Sequence, residues 1–184
     1  YHPGEFIISV GTKGCNLKCG FCQNASISQD LNVSTQRISG DMLIEKAKQV
    51  YSFGIAYTYN EPFIWYEFVL DTAKLVKEKG FENVLVTNGF VNREPLREIL
   101  PFIGAMNIDL KSMEDSFYRK VCKGALNPVL DTIKEAKKHC HVELTNLIVP
   151  TLNDSEKNLT KLVDWVYDNL GEDLSLIHIS EPTR

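Results

Sequence analysis

The sequence predicts an α/β fold built on parallel strands, and three observations lead there. Short apolar segments of strand character alternate along the chain with amphipathic segments of helical character; that alternation builds parallel strands joined by right-handed crossovers. The strand-like runs lack long inward–outward alternation, as befits strands covered on both faces. Polar or special residues gather just after every strand-like run, at the end of the sheet where parallel α/β folds assemble their sites. Periodicity leaves open both a doubly wound sheet and a curved full or partial barrel. Five loops contributing to one mouth favour the curved sheet.

Residues 5–10 read as a buried first strand that runs into a cysteine cluster. Leu43, Ala47, Val50 and Phe53 then lie at helical spacing, with Gly54 as the stop. The second strand, 55–59, leads into Asn60-Glu61-Pro62, and a helix from about 65 to 79 ends at Gly80. The third strand, 83–87, runs into Thr87-Asn88-Gly89, and the fourth, 105–110, carries Asp109 and leads to Lys111. Lys134, Lys137 and Lys138 mark the wet face of a helix before the fifth strand, 142–149. Leu159, Leu162, Val163, Val166 and Leu170 form the apolar stripe of a last helix, with Asp154 and Ser155 as capping groups and Gly171 as its stop. Trp65 and Trp165 read as core packing.

The chain has 184 residues, enough for one domain with a real core. Its 43% hydrophobic and 24% charged residues argue against disorder. A net charge of -4 gives no electrostatic footprint for nucleic acid. No apolar run has the length of a membrane span, and no signal peptide is visible; a cytoplasmic protein is expected. The first residue is Tyr1 rather than Met, which marks a fragment or a processed chain.

Cysteine usage is the most informative feature. Three of five cysteines crowd into Gly14-Cys15-Asn16-Leu17-Lys18-Cys19-Gly20-Phe21-Cys22, a C-x₃-C-x₂-C pattern. A disulfide framework would spread and pair its cysteines. Three thiolates in one loop can converge on one inorganic centre, yet fall one short of a closed four-thiolate site. A cluster held at three corners keeps one iron open for an external ligand. Lys13 and Lys18 would offset part of the negative charge of thiolates and sulfide. Two other readings remain at this point: a structural zinc site with a fourth ligand elsewhere, such as His2, and a dithiol redox pair at Cys19 and Cys22. Cys122 and Cys140 match no motif and read as core or incidental.

The cysteine pattern, with an aromatic residue before its last cysteine and a strand before it, resembles the radical S-adenosylmethionine (SAM) superfamily. The resemblance is closest to the radical SAM enzymes of the AmmeMemoRadiSam system, relatives of pyruvate formate-lyase activating enzyme. It is carried by His2-Pro3-Gly4, residues 14–24 (GCNLKCGFCQN), 57–62 (YTYNEP), Thr87-Asn88-Gly89, 107–111 (NIDLK) and 147–155 (LIVPTLNDS), spanning most of residues 2–170. It implies a partial (βα)₆ TIM-like barrel, here truncated to about five βα units. It also implies a [4Fe-4S] cluster on Cys15, Cys19 and Cys22, whose open iron binds SAM. One-electron reduction of bound SAM would give methionine and a 5′-deoxyadenosyl radical that abstracts a substrate hydrogen. The implied partners are SAM, an electron donor such as a reduced flavodoxin or ferredoxin, and an unknown substrate, possibly a protein.

The same resemblance places further residues near SAM. Phe21 matches the aromatic position beside the adenine, though a packed loop anchor would look the same. Asn60, Glu61 and Pro62 match the end of a Gly-Gly-Glu-Pro motif that contacts the methionine amino group, and a carboxylate is sensible opposite an amine. Tyr59 and Asn60 stand where that motif has glycines, and Tyr tolerates positive φ poorly. Thr87 and Asn88 match polar residues of the SAM site, although Asn88-Gly89 is itself a turn signal. Asp109 and Lys111 match a segment on the SAM and substrate side, or form a plain ion pair.

Residues 174–184 read as the in-frame translation of a sequencing adapter, so the radical SAM core is expected to occupy 1–173. His178-Ile179-Ser180 also resembles a run in the family's sixth strand. Either reading implies a longer parent, with segments missing at both ends.

Overall fold

The computed structural model describes residues 1–30 and 32–180. Six strands form one sheet: β1 (Ile8–Val10), β2 (Gly54–Tyr57), β3 (Glu82–Thr87), β4 (Ala105–Asp109), β5 (His141–Ile148) and β6 (Ser175–Ser180). The helices are α1 (Ala25–Ser28), α2 (Gly40–Gln49), α3 (Tyr66–Glu78), α4 (Arg93–Ile99), α5 (Asp115–Phe117), α6 (Leu126–Lys137) and α7 (Glu156–Leu170). A 3-10 turn (Pro62–Trp65) precedes α3, and a π turn (Tyr118–Cys122) continues α5.

The strand order is β1-β2-β3-β4-β5-β6 and every pairing is parallel. A doubly wound sheet reverses its order at a switch point; this one advances one strand at a time, which is barrel winding. Residues from all six strands, among them Ser9, Ala56, Val84, Asn107, Thr145 and Ile177, line one interior cavity of about 540 Å³. The sheet therefore curls around a lumen, and β1 and β6 are its two edges.

That lumen corrects the expectation that both faces of the strands are covered. In β3, Asn83, Leu85 and Thr87 are buried under the helices, whereas Val84 and Val86 are half-buried and face the cavity. The core lies on the outer face, where Leu43, Ile44 and Ala47 of α2 and Val69, Ala73 and Val76 of α3 cover Ile55, Tyr57 and Leu85. Within it the Tyr57 hydroxyl donates to Asn83 Oδ1 at 3.0 Å, and Asn83 Nδ2 donates to the carbonyls of Ala73 and Phe102. The polar groups of this buried pair are thus satisfied.

Several boundaries shift for identifiable reasons. Strand β1 starts at Ile8, because the Phe6 carbonyl is taken by Phe53 N and Ser52 Oγ and the Phe6 side chain is 79% exposed. Helix α2 ends at Gln49, short of the expected stop. Gly54 opens β2 instead, where a Cβ would lie 2.2 Å from the Glu82 carbonyl oxygen; the two strands approach too closely for a side chain. Gly80 and Gly171, with φ of +78° and +89°, end α3 and α7 as their spacing predicts. Ser155 caps α7 by accepting from Asn158 N. Val163 is exposed, so the α7 stripe narrows to Asn158, Leu162, Val166 and Leu170.

Strand β6 falls inside the stretch whose sequence reads as foreign; residues 181–184 of that stretch lie outside the described residues. It pairs with β5 over six positions, Glu143↔Ser175 to Ile148↔Ser180. An open parallel edge presents unpaired backbone groups to any strand-forming segment of suitable length, and Ser-Leu-Ile-His-Ile-Ser, with three β-prone apolar residues, is one. Among the described residues no helix is long and apolar enough to cross a membrane.

Candidate cofactor site at the carboxyl ends of the strands

The cysteine loop leaves β1 and is pinned from behind by the π turn. Lys18 N donates to the Cys122 carbonyl at 2.9 Å and Gly20 N to the Val121 carbonyl at 3.3 Å. Leu17, 3% exposed, is the loop's hydrophobic anchor, and it sits so close to Gly124 that a Cβ there would lie 2.6 Å from its Cδ2. So held, Cys15, Cys19 and Cys22 line one cavity of about 170 Å³, all three as free thiols.

Each sulfur has its own surroundings. Cys15 Sγ accepts from Leu17 N at 3.4 Å and from Asn88 Nδ2 at 3.5 Å, while burial pushes its thiol up. Cys22 Sγ lies 3.3 Å from Ser28 Oγ. The neighbouring Cys122 thiol pulls the Cys19 thiol down against its burial, and the Lys111 ammonium acts in the same direction. The proximity of Cys19, together with burial, pushes Cys122 up.

The other strand ends supply the polar wall. Asn60, after β2, donates from Nδ2 to the Thr12 carbonyl at 3.2 Å, and its buried Oδ1 has no partner. Neither Tyr59 nor Asn60 takes a positive φ; the peptide bond between them is cis. Asn88, after β3, donates to Asn16 Oδ1 at 2.8 Å and accepts from Phe90 N at 2.8 Å. Asp109 ends β4, and its carboxylate lies 3.0 Å from Lys111 Nζ. Burial works against the Lys111 ammonium, yet the adjacent carboxylate leaves its pKa raised. Phe21 lines the same cavity with its ring 5.7 Å from that of Phe117.

Phe21, Asn60, Asn88, Asp109, Lys111 and the three cysteines therefore meet around one cavity, whereas Glu61, Pro62 and Thr87 do not line it. Glu61 is 1% exposed; it accepts from Thr87 Oγ1 at 2.7 Å and Phe63 N at 3.2 Å through one oxygen and from Asn88 N at 2.8 Å through the other. Its carboxylate ties two strand ends together behind the site, and burial pushes it up to about 7. Pro62 opens the 3-10 turn, and Thr87 is buried against Glu61. His2 stacks on Phe53 at 4.5 Å, at the amino end of the sheet, and lines the lumen rather than the cysteine cavity.

Sequence reasoning missed several lining residues: Gln23, Asn24 and Ser28 on the cysteine loop and its helix, and Thr145 and Leu147 of β5. It also missed a bracing layer. Asn153 donates to the carbonyls of Lys111 and Leu147, and Asn158 Oδ1 accepts from Ser112 Oγ and Met113 N. The signal for Thr145 was available. Val142, Leu144 and Asn146 are buried on the helix side, so the intervening residues must face inward.

A sequentially ordered parallel barrel sheet with three thiols at its carboxyl mouth defines a barrel protein equipped for a thiolate-held cofactor. The chain belongs to the radical SAM superfamily, whose family model matches residues 9–166. It is 42% identical over 179 residues to an uncharacterized protein of Methanocaldococcus jannaschii, covering 96% of this chain and 53% of that protein. It is 25% identical over 161 residues to the pyruvate formate-lyase-activating enzyme of Clostridium pasteurianum, covering 84% of this chain and 66% of the enzyme. Among solved structures, Streptococcus suis SuiB bound to S-adenosylmethionine overlays with a TM-score of 0.72 at 14% identity, covering 96% of this chain and 41% of SuiB. The chain thus spans about half the length of the archaeal relative.

Members of this superfamily are enzymes that typically bind a [4Fe-4S] cluster and SAM. The residues present fit that pair. Three free thiols line one cavity, the donor set that a cluster held at three corners takes. The orphaned Asn60 Oδ1 is an acceptor waiting for a donor, and SAM carries an ammonium.

Proposed function

We propose that this chain is the cofactor-binding core of a radical SAM enzyme, with Cys15, Cys19 and Cys22 holding a [4Fe-4S] cluster. The observation that carries the reading is the convergence of three free thiols on one cavity walled by polar groups from successive strand ends. When bound, cluster and SAM supply a 5′-deoxyadenosyl radical for hydrogen abstraction. The chain's own residues bind and orient. Asn60 Oδ1 would accept from the amino group of SAM, Lys111 Nζ would offer a charged donor, the Asp109 carboxylate an acceptor, and Phe21 an apolar wall beside them. Asn88 holds the Cys15 side of the loop through Asn16. Glu61 positions Asn88 from behind, with Thr87 holding its carboxylate, and Pro62 opens the turn that follows Glu61. The interior cavity shares Thr145 of β5 with the cysteine cavity, so a substrate placed there lies next to the site.

A second reading, activation of a glycyl-radical enzyme, is supported by the 25% identity to the Clostridium enzyme. A cytoplasmic setting and a flavodoxin- or ferredoxin-like electron donor accompany either reading. We also propose that residues 174–184 are not native, which resequencing of the parent gene decides. Anaerobic reconstitution with iron and sulfide, followed by metal analysis, tests the main reading. The expected result is about four irons and four sulfides per chain and SAM cleaved to 5′-deoxyadenosine on reduction. One zinc per chain and no cleavage would make it a metal-binding module instead. Glycyl-radical formation on a partner by the full-length parent would favour the activase reading.

A further inference from the structure

Ser28 lies beyond the cysteine motif, yet it is 6% exposed and its Oγ is 3.3 Å from Cys22 Sγ. It closes α1, the short helix that follows the cysteine loop. That helix is tied back to the loop on both sides of Ser28. Gly14 N donates to the Ile27 carbonyl at 2.9 Å, and Gln29 Nε2 donates to the Cys19 carbonyl at 3.4 Å. Ser28 N itself donates to the Asn24 carbonyl at 2.8 Å. Three hydrogen bonds thus fix this stretch, and they hold the Ser28 side chain on the wall of the cysteine cavity beside Cys22. Among the described residues, Cys22 Sγ is the one hydrogen-bond partner of the Ser28 hydroxyl, and Ser28 is the one partner of Cys22 Sγ. Between a thiol and a hydroxyl either group can donate. A thiolate that holds iron has no proton to give, so there the hydroxyl must be the donor.

We propose that Ser28 is a positioning residue that donates an O–H···S hydrogen bond to Cys22 and thereby raises the reduction potential of the cluster Cys22 holds. The inference rests on the cluster reading above. A hydrogen bond to a ligand sulfur draws charge away from an iron–sulfur centre and favours its reduced form. Cys15 Sγ takes its two donors from Leu17 N and Asn88 Nδ2, one a backbone group and the other a side chain also bonded to Asn16. The donor to Cys22 is a single hydroxyl with no second duty, and removing it leaves that sulfur bare among the described residues.

The test is an EPR-monitored redox titration of anaerobically reconstituted wild-type, S28A and S28T protein, each with its iron and sulfide content measured. S28A, which has no donor, is expected to shift the midpoint negative by about tenfold in the reduction equilibrium, or about 59 mV for a one-electron couple. S28T, which keeps the hydroxyl, is expected to stay within about twofold of wild type in the same equilibrium. Equal midpoints in wild type and S28A, or the same negative shift in both variants, would overturn the proposal. If S28T takes up no cluster, S28A decides alone. If S28A takes up none, S28T decides, and a midpoint negative of wild type by more than twofold overturns it. Wild-type protein that takes up no cluster would instead overturn the cluster reading, so the two failures are distinguishable.

Discussion

Glu61 and Asn88 are joined across neighbouring strand ends by a 2.8 Å hydrogen bond from the Asn88 backbone N–H to Glu61 Oε2. The Asn88 side chain then reaches Asn16 and Cys15 on the cysteine loop. A carboxylate that motif matching would set opposite an amine is thus two contacts away from the thiols and closes the turn after β3. Replacement by alanine strands the Thr87 hydroxyl and the Asn88 and Phe63 N–H groups in a buried place. Glu61→Ala should cost about 3 kcal/mol, given 1–3 kcal/mol for a buried group left unpaired. Thermal or urea unfolding measures it, and a loss of SAM affinity at unchanged stability would argue against the positioning role.

The same carboxylate gives a pH dependence of defined sign. Burial raises Glu61 from 4.5 to about 7 although three hydrogen bonds pull the other way. A raised acid binds its proton in the folded state where the unfolded chain has released it. Its contribution is complete below the unfolded value and disappears as pH rises through about 7. The expected loss is on the order of 3 kcal/mol between pH 4.5 and 7.5. Urea unfolding of wild type and Glu61→Gln across that range reads it as a narrowing stability difference; a constant difference would show that the carboxylate stays ionised.

Asp109 and Lys111 form a pair at the cavity wall, 3.0 Å apart, with the lysine side chain 13% exposed and the carboxylate 37%. Removing the carboxylate leaves an ammonium with little access to water. Asp109→Asn should therefore destabilise by about 1–3 kcal/mol, less than a wholly buried pair because the acid side is solvated. Adding Lys111→Met should recover part of that loss, since both charges are then gone. A double-mutant cycle by chemical denaturation gives the coupling, and additive losses would mean that water already screens the pair.

Much of this arrangement was legible in the chain, and the exceptions share a cause. Alternation and loop chemistry give the parallel order, because each strand here is a local apolar run followed by a polar loop. The cysteine spacing is a short-range pattern and survives reading without a structure. A motif match to Glu61 records residue type and not which way the carboxylate turns; in the structure its direction is set by Thr87 and Asn88, distant in sequence. Asn153 and Asn158 escaped for the same reason, as their partners at 111–113 are some forty positions upstream. Helix α4 spans Arg93–Ile99, too short for its periodicity to register.

Two glycines near the site separate steric need from mere presence. Gly89 has φ of +71°, and a Cβ there would lie 2.8 Å from Ile108 Cγ2 and 3.1 Å from Val129 Cγ1. Gly89→Ala therefore combines an unfavourable backbone region with overpacking between β4 and α6. Each effect costs about 1–3 kcal/mol, so a loss of about 3 kcal/mol is expected. The strain falls on the residue next to Asn88, so the Asn88–Asn16 contact should loosen with it, which the side-chain amide resonances of Asn88 would report. Gly20, inside the cysteine loop, has no positive φ and no atom within 4 Å of where its Cβ would be. Gly20→Ala should leave stability within about 0.5 kcal/mol of wild type. Equal losses at both positions would mean that loop flexibility, rather than the close packing of the β3 turn, sets the geometry around Cys15.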